Sequence, residues 1–416
     1  MFIMFRFLCR TTRKVIAEGD RDRDLALNLT TTQLGFSQNK IFPLRFLSSS
    51  SHVGKRALKT EQSEQEESLT LSYLINSCGL SLKCAVSASK LIQLKNTERA
   101  DSVLRFLSDH GFIETQISKV VKGCPRVISF DPEKTLSPKI EFFRSMGVSR
   151  DEVAEIIART PPLLSRSLKN HLIPNYNFLK NVVIDDKKVV TVLKRMGRGL
   201  LQDLRSKNLG PNIALLKDIG VPHSGIIFLV TNTSSAARSK HSKFCRIVDK
   251  VKEMGFDPTQ IVFVMAVGVI SQLKESVWES KFEVYRRWGW SEDETRAAFR
   301  KHPYCMLISE EKITRGMDFL VNRMGWLSRD ISKWPEGLFF SLEKRIAPRC
   351  FVIQHLLSKG LIREDISPTA YLKLTEGKFM DMYITRFHEK VPQLLDVYEG
   401  KIDFLDVNPE FQRSVK

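Results

Sequence analysis

Ser137-Pro138-Lys139-Ile140-Glu141-Phe142-Phe143-Arg144-Ser145-Met146-Gly147-Val148-Ser149-Arg150-Asp151-Glu152-Val153 holds the signals for one helix ending and the next beginning. Pro138 fits a first helical position, where its missing N–H costs nothing. Ile140, Phe143 and Met146 recur at helical spacing, and Gly147 supplies the stop. Ser149 with Glu152 three residues on is a capping box for a second helix. Its apolar stripe is Val153, Ile156 and Ile157, and Thr160-Pro161-Pro162 ends it, because proline cannot continue the hydrogen-bond ladder. Leu163-Leu164 and Leu168 predict a short third element, one turn of helix. Leu172 then leads into Pro174, which opens the next unit.

The same grammar returns about every 36 residues. Gly111, Gly147, Gly220, Gly255, Gly289, Gly325 and Gly360 are separated by 36, 73, 35, 34, 36 and 35 residues. The long gap is two units with one glycine missing, and Ile184 stands in the vacant slot. Pro125, Pro161 and Pro303 form a second series in phase, with Gly197 and Gly268 in intermediate slots. Further expected helix starts are Asp257-Pro258 as cap and first residue, Ser291 with Glu294 as a capping box, and Ser328 as a cap. Residues 261–270 look strand-like alone, but they occupy a second-helix slot and are read as a buried helix. Hairpin turn signals are missing. The fold class is all-α: an α-solenoid superhelix of about eight helix-helix-turn repeats, the last truncated, each burying its apolar face against its neighbours.

The repeat resembles that of the mTERF family, the organellar transcription termination factor-like proteins. Leu136-Ser137-Pro138-Lys139-Ile140, Phe142-Phe143, Gly147, Ser149, Glu152-Val153, Ile156-Ile157, Pro161 and Leu163-Leu164 fall on that family's pattern. The flanks Ser72-Tyr73-Leu74-Ile75-Asn76-Ser77-Cys78-Gly79-Leu80 and Lys281-Phe282-Glu283-Val284-Tyr285-Arg286-Arg287-Trp288-Gly289-Trp290-Ser291 resemble its large land-plant branch. The pattern is broken in the third repeat, with Ile184 for Gly and Gly197 for Pro, and in the fourth, with Thr231-Asn232-Thr233 in the Pro region. The resemblance implies a left-handed superhelix, nucleic-acid binding in organelles and no catalysis.

The formal net charge is +18 and the sequence pI about 9.6. Residues 1–60 hold eleven Lys/Arg and four Asp/Glu, which leaves +11 for the rest, read as an excess spread along the chain. That suits a polyanionic partner. The first fourteen residues contain no acid, with Arg6, Arg10, Arg13 and Lys14 on one side of a helical wheel and Phe2, Met4, Phe5 and Leu8 largely opposite. This is the form of a mitochondrial presequence, with a chloroplast address as the competing reading. The expected organisation is 1–50 presequence and linker, 51–69 polar linker, 70–398 repeats and 399–416 tail. No run is long and apolar enough to cross a membrane. Seven cysteines without C-x-x-C spacing read as reduced and buried.

No catalytic, cofactor or metal site is expected. Gly197-Arg198-Gly199 lacks the strand and the Lys-Ser/Thr ending of a phosphate loop. His302 and Cys305 lack a second ligand pair and read as a helix end with a core thiol. Glu292, Asp293 and Glu294 suit a helix N-terminus. Trp288, Trp290 and Trp326 read as inter-repeat packing.

The candidate nucleic-acid-binding residues lie late in second helices or in the following turn. They are Arg126, Arg159, Arg166, Lys194, Arg195, Arg198, Arg205, Lys207, Arg238, Lys240, Lys243, Arg300, Lys301 and Arg345, with Lys344 beside the last. Equivalent positions of stacked repeats form a stripe, and a cationic stripe follows a phosphate backbone. Arg159, Arg195, Arg198, Arg238, Lys240 and Arg300 are expected on one concave surface. Lys180 to Lys207 is densest, with eight basic and three acidic residues. The competing reading of each is a solvated charged face. The expected partner is double-stranded DNA or structured organellar RNA, bound by a monomer, with other organellar expression factors as further partners. The alternative is a protein-binding α-solenoid scaffold.

Overall fold

Gly147 ends one helix and Ser149 starts the next, as the sequence dictates. In a computed structural model describing residues 53–401, with side chains from residue 65 on, Gly147 has φ +79°. The Ser149 hydroxyl accepts from the Glu152 N–H while the Glu152 carboxylate accepts from the Ser149 N–H. Ser291 and Glu294 repeat this box. Every glycine of the 36-residue series takes a positive φ, and Gly79 and Gly400 extend it at both ends.

The result is eight repeats, without a strand among the described residues. Their helix pairs are Glu98–Asp109 with Glu114–Gly123, Ser137–Ser145 with Arg150–Arg159, Ile173–Val183 with Asp186–Met196, and Leu209–Asp218 with His223–Asn232. Then follow His241–Glu253 with Ile261–Gln272, Glu275–Arg287 with Glu292–Lys301, Glu310–Met317 with Ser328–Ser332, and Ala347–Ser358 with Pro368–Leu372. A helix Val53–Asn76, running through the stretch expected as a polar linker, precedes them with Leu82–Ser89. The charged N-terminal segment read as a presequence lies outside the described residues. The described residues fall into two compact units that divide between Cys245 and Arg246.

Second helices end in a 3₁₀ turn at Pro125–Ser129, Pro161–Ser165, Pro303–Leu307 and Pro335–Phe339. The residue before each proline is pushed out of the helical region, at φ −146° for Cys124 and −138° for Thr160. Thr233 takes the same conformation, φ −129°, without a proline, and a short helical turn Ser234–Ala237 replaces the 3₁₀ element.

The expected helix starts need four corrections. Pro138 is the second residue of Ser137–Ser145, as expected, but that α-helix is not where the helical path starts. The helix begins one turn earlier, as a π turn Pro132–Leu136 whose last bond runs from the Ser137 N–H to the Pro132 carbonyl. Leu168–Leu172 before Pro174 and Leu342–Ile346 before Pro348 do the same. A wide turn accommodates a ring that would clash with a preceding carbonyl. Leu168 therefore opens repeat three rather than closing repeat two. Asp257-Pro258 does not start a helix: Asp257 folds back onto Thr259, and the helix starts at Ile261. Ser328 is the first helical residue, not the cap. Gly268 lies inside Ile261–Gln272, a helix with Phe263 through Val269 all buried. That last helix is the one expected from the strand-like run.

Candidate nucleic-acid interface

Three sets of polar side chains occupy recurrent positions. The first is buried, except for half-buried Lys312, and was not anticipated. Lys139, Asn175, Asn212, Lys281, Lys312 and Arg349 sit in the first helices and donate to carbonyls where the same repeat's terminal turn exits. Lys139 reaches the Leu164 carbonyl, Lys281 that of Ile308, and Lys312 that of Phe339. Asn175 donates to Gln202 at 2.9 Å, Asn212 to Ala237 and Ser239 at 2.9 Å each, and Arg349 to Tyr371 at 2.9 Å and Leu374 at 2.8 Å. Turn carbonyls facing the core must be satisfied, and these clips do it. Burial pushes the ammonium groups of Lys139, Lys281 and Lys312 below the usual lysine range. The sequence signal was present in Pro138-Lys139, Pro174-Asn175, Pro211-Asn212 and Pro348-Arg349: a donor after a proline at one repeat position.

The second set explains part of the expected stripe. Arg159 donates to the Lys194 carbonyl at 2.8 Å, Arg195 to the Thr231 carbonyl at 2.7 Å, and Lys301 to the Lys333 carbonyl at 3.1 Å. Each cation reaches the C-terminal end of the next repeat's second helix, where unpaired carbonyls and the helix dipole favour positive charge by about 0.3–1 kcal/mol. Their recurrence therefore has a structural cause. Arg159 also pairs with Glu155, and Lys194 with Glu152 of the preceding repeat. That lysine holds the Glu152 carboxyl below its ordinary range.

The third set is open to solvent: Arg126, Arg166, Arg198, Arg205, Lys207, Lys240, Lys243, Arg300 and Lys344. Arg238 and Arg345 do not stand with them. Arg238 is half-buried with its guanidinium against Gly199, where a Cβ would lie 2.0 Å from Nη1. Burial lowers its pKa. Arg345 stacks on the Phe340 ring at 4.9 Å, its pKa lowered by burial and by Arg349.

The charge is not spread evenly. Residues 98–159 hold ten Lys/Arg and ten Asp/Glu, whereas 160–245 hold 14 against 4, and 246–401 hold 25 against 22. The excess lies in repeats three and four, and includes exposed Lys169, Lys187 and Lys217, which were not singled out. The residues read as core chemistry behave as packing. Gly197 has φ +49° at a helix end, Cys305 is fully buried, and the His302 ring lies 4.6 Å from that of Phe339. Trp290 is 1% exposed, stacked on Tyr285 and bonded to Ser328 of the next repeat. Trp288 and Trp326 are half-buried. Cys78, Cys124, Cys305 and Cys350 are buried thiols. No single helix among the described residues is long and apolar enough to cross a membrane.

A family model described as mTERF matches residues 104–268 and 265–380. Two Arabidopsis thaliana proteins are similar. Transcription termination factor MTERF15, mitochondrial, is 30% identical over 132 residues, 30% of this chain and 29% of that protein. Transcription termination factor MTERF8, chloroplastic, is 20% identical over 294 residues, 71% of this chain and 57% of that protein. The chain thus spans less than two thirds of either relative's length.

Proposed function

The chain belongs to the mTERF family, and from that premise we propose that it is an organellar regulator of gene expression that grips double-stranded nucleic acid. Its role lies in transcription termination or regulation, or in intron splicing, without catalysis. The observation that carries this reading is the 14-to-4 excess of basic over acidic residues between 160 and 245. Phosphate contacts supply affinity in proportion to the counterions they release. Arg166, Arg198, Arg205, Lys207, Lys240 and Lys243 are the contact residues, being exposed and outside the helix-end bonds that hold Arg159 and Arg195. The charged N-terminal segment favours mitochondria over chloroplasts, which a fluorescent fusion tests directly.

The decisive measurement is duplex affinity against salt. Replacing Arg198, Arg205 and Lys207 together by Gln should flatten the log–log slope by roughly 0.9 for each phosphate no longer neutralised. Unchanged slope and affinity would return these residues to a solvated face.

A further inference from the structure

Helix Glu275–Arg287 and the start of Glu292–Lys301 enclose an open cavity of about 400 Å³. Its walls are aromatic and held in place. Trp278 lies edge-on to Phe299 with centroids 4.9 Å apart and leans on Phe282 at 5.4 Å. Trp290 stacks on Tyr285 at 4.4 Å, and Ser328 accepts its indole N–H.

The rim is acidic. Glu275, Glu279 and Glu283 line one face of their helix at successive four-residue steps, and Glu292 joins from the second helix. Glu275 pairs with Lys250 at 3.1 Å, Glu283 with Arg286 at 2.6 Å, and Glu292 with Arg296. Glu279, between the first two, has no ion pair among the described residues. The Arg296 guanidinium stands 5.6 Å from the Phe282 centroid while paired with Glu292. The cavity thus already holds one cation between a ring and a carboxylate. Trp278 and Glu279 line the same cavity, and neither is committed to a cation among the described residues.

We propose that this cavity docks an arginine or lysine side chain from a protein partner. A ring face and a carboxylate both attract a cation, and the carboxylate rim repels phosphate. The occupant is therefore not the polyanion held by repeats three and four. A chain of net charge +18 repels a basic peptide overall, so attraction must come from this local complementarity. The inference stands apart from the nucleic-acid reading, since neither set of residues belongs to the other.

The probe is a capped Gly-Arg-Gly-Arg-Gly peptide titrated into the full chain, followed by tryptophan fluorescence and calorimetry, with a Gln-for-Arg peptide as control. The Arg peptide should bind and the Gln peptide should not. Glu279→Gln and Trp278→Leu should each weaken binding about tenfold. Duplex affinity measured on the same variants should not change, which reports an intact fold. Equal peptide affinity in the native chain and Glu279→Gln overturns the proposal. So does self-association that disappears in Glu279→Gln, which would make the occupant a second copy. Duplex affinity abolished by Glu279→Gln would give the surface to nucleic acid instead.

Discussion

At the scale of the residue, Ile184 shows what the missing glycine costs. Its φ is +66°, the only positive value at a non-glycine residue among those described, and its N–H is bonded by the Lys180 carbonyl at 2.8 Å. The next residue, Asp185, bonds Val183 at 2.8 Å across a tight turn. A β-branched residue there is strained by about 1–3 kcal/mol, and at 66% exposure it recovers little by burial. Ile184→Gly is expected to stabilise the chain by about 1 kcal/mol after the entropy of glycine is counted. Equilibrium urea unfolding would read this as a higher midpoint, and a lower one would remove the strain argument. His355 carries a cost of a different kind. It is fully buried, with neither ring nitrogen hydrogen-bonded, and burial, then Lys359, lowers its pKa. A histidine with a depressed folded pKa binds its proton more readily when unfolded. Its stabilisation is therefore complete above the unfolded value of about 6.5 and is lost as pH falls towards the folded one. The midpoint should fall between pH 7.5 and 5.5, and His355→Leu should reduce that slope, leaving the share of His302, whose pKa burial also lowers.

At the scale of the element, legibility followed the chemistry of the backbone. Helix stops were readable because glycine and proline act locally: Gly147 and Pro161 need no partner to end a helix. The buried run 261–270 was readable only from its slot in the period, since its residues alone suit a strand. The π turns were not readable. A proline after one turn of helix looks, in sequence, like a proline at a helix start. The polar clips were visible as a donor after proline, but their acceptors lie 22 to 27 residues onward, as with Arg349 and Tyr371 or Asn212 and Ser239. That pairing exists only once the repeat has closed. Asn212 also accepts from His241 at 2.8 Å, so it joins the exit of repeat four to the start of repeat five. Asn212→Ala leaves two carbonyls without their donor and should cost about 3 kcal/mol. Asn212→Asp should cost at least as much at neutral pH, because a carboxylate faces those carbonyls. Loss smaller than about 1 kcal/mol in the alanine variant would mean that water replaces the clip.

At the scale of the whole molecule, the candidate site was legible as a class and not as a location. Net charge pointed to a polyanion, but recurrence of basic residues was a poor guide, because Arg159, Arg195 and Lys301 recur to cap helices. What marks repeats three and four is the scarcity of acids, four in 86 residues, more than any motif. The kind of nucleic acid we propose rests on the aromatic side chains. Among the described residues, the exposed large apolar ones, Leu82, Val86, Leu91, Ile113, Ile184, Val277, Leu327 and Met382, include no ring. Trp290, Tyr304 and Phe244 are 1%, 5% and 0% exposed. A reader of single strands stacks bases on exposed rings at about 1–3 kcal/mol each, and this surface offers cations without such platforms. Duplex also presents more charge per unit length, with a salt slope of about 0.9 per neutralised phosphate against about 0.7 for single strands. Labelled duplex should therefore be displaced at least about tenfold more readily by unlabelled duplex than by either of its strands at fixed salt. Sequence choice should then follow duplex shape as much as base contacts. Stronger competition by an unstructured strand would contradict this and would direct attention to the half-buried rings beside the basic block, with Tyr176 the first to replace.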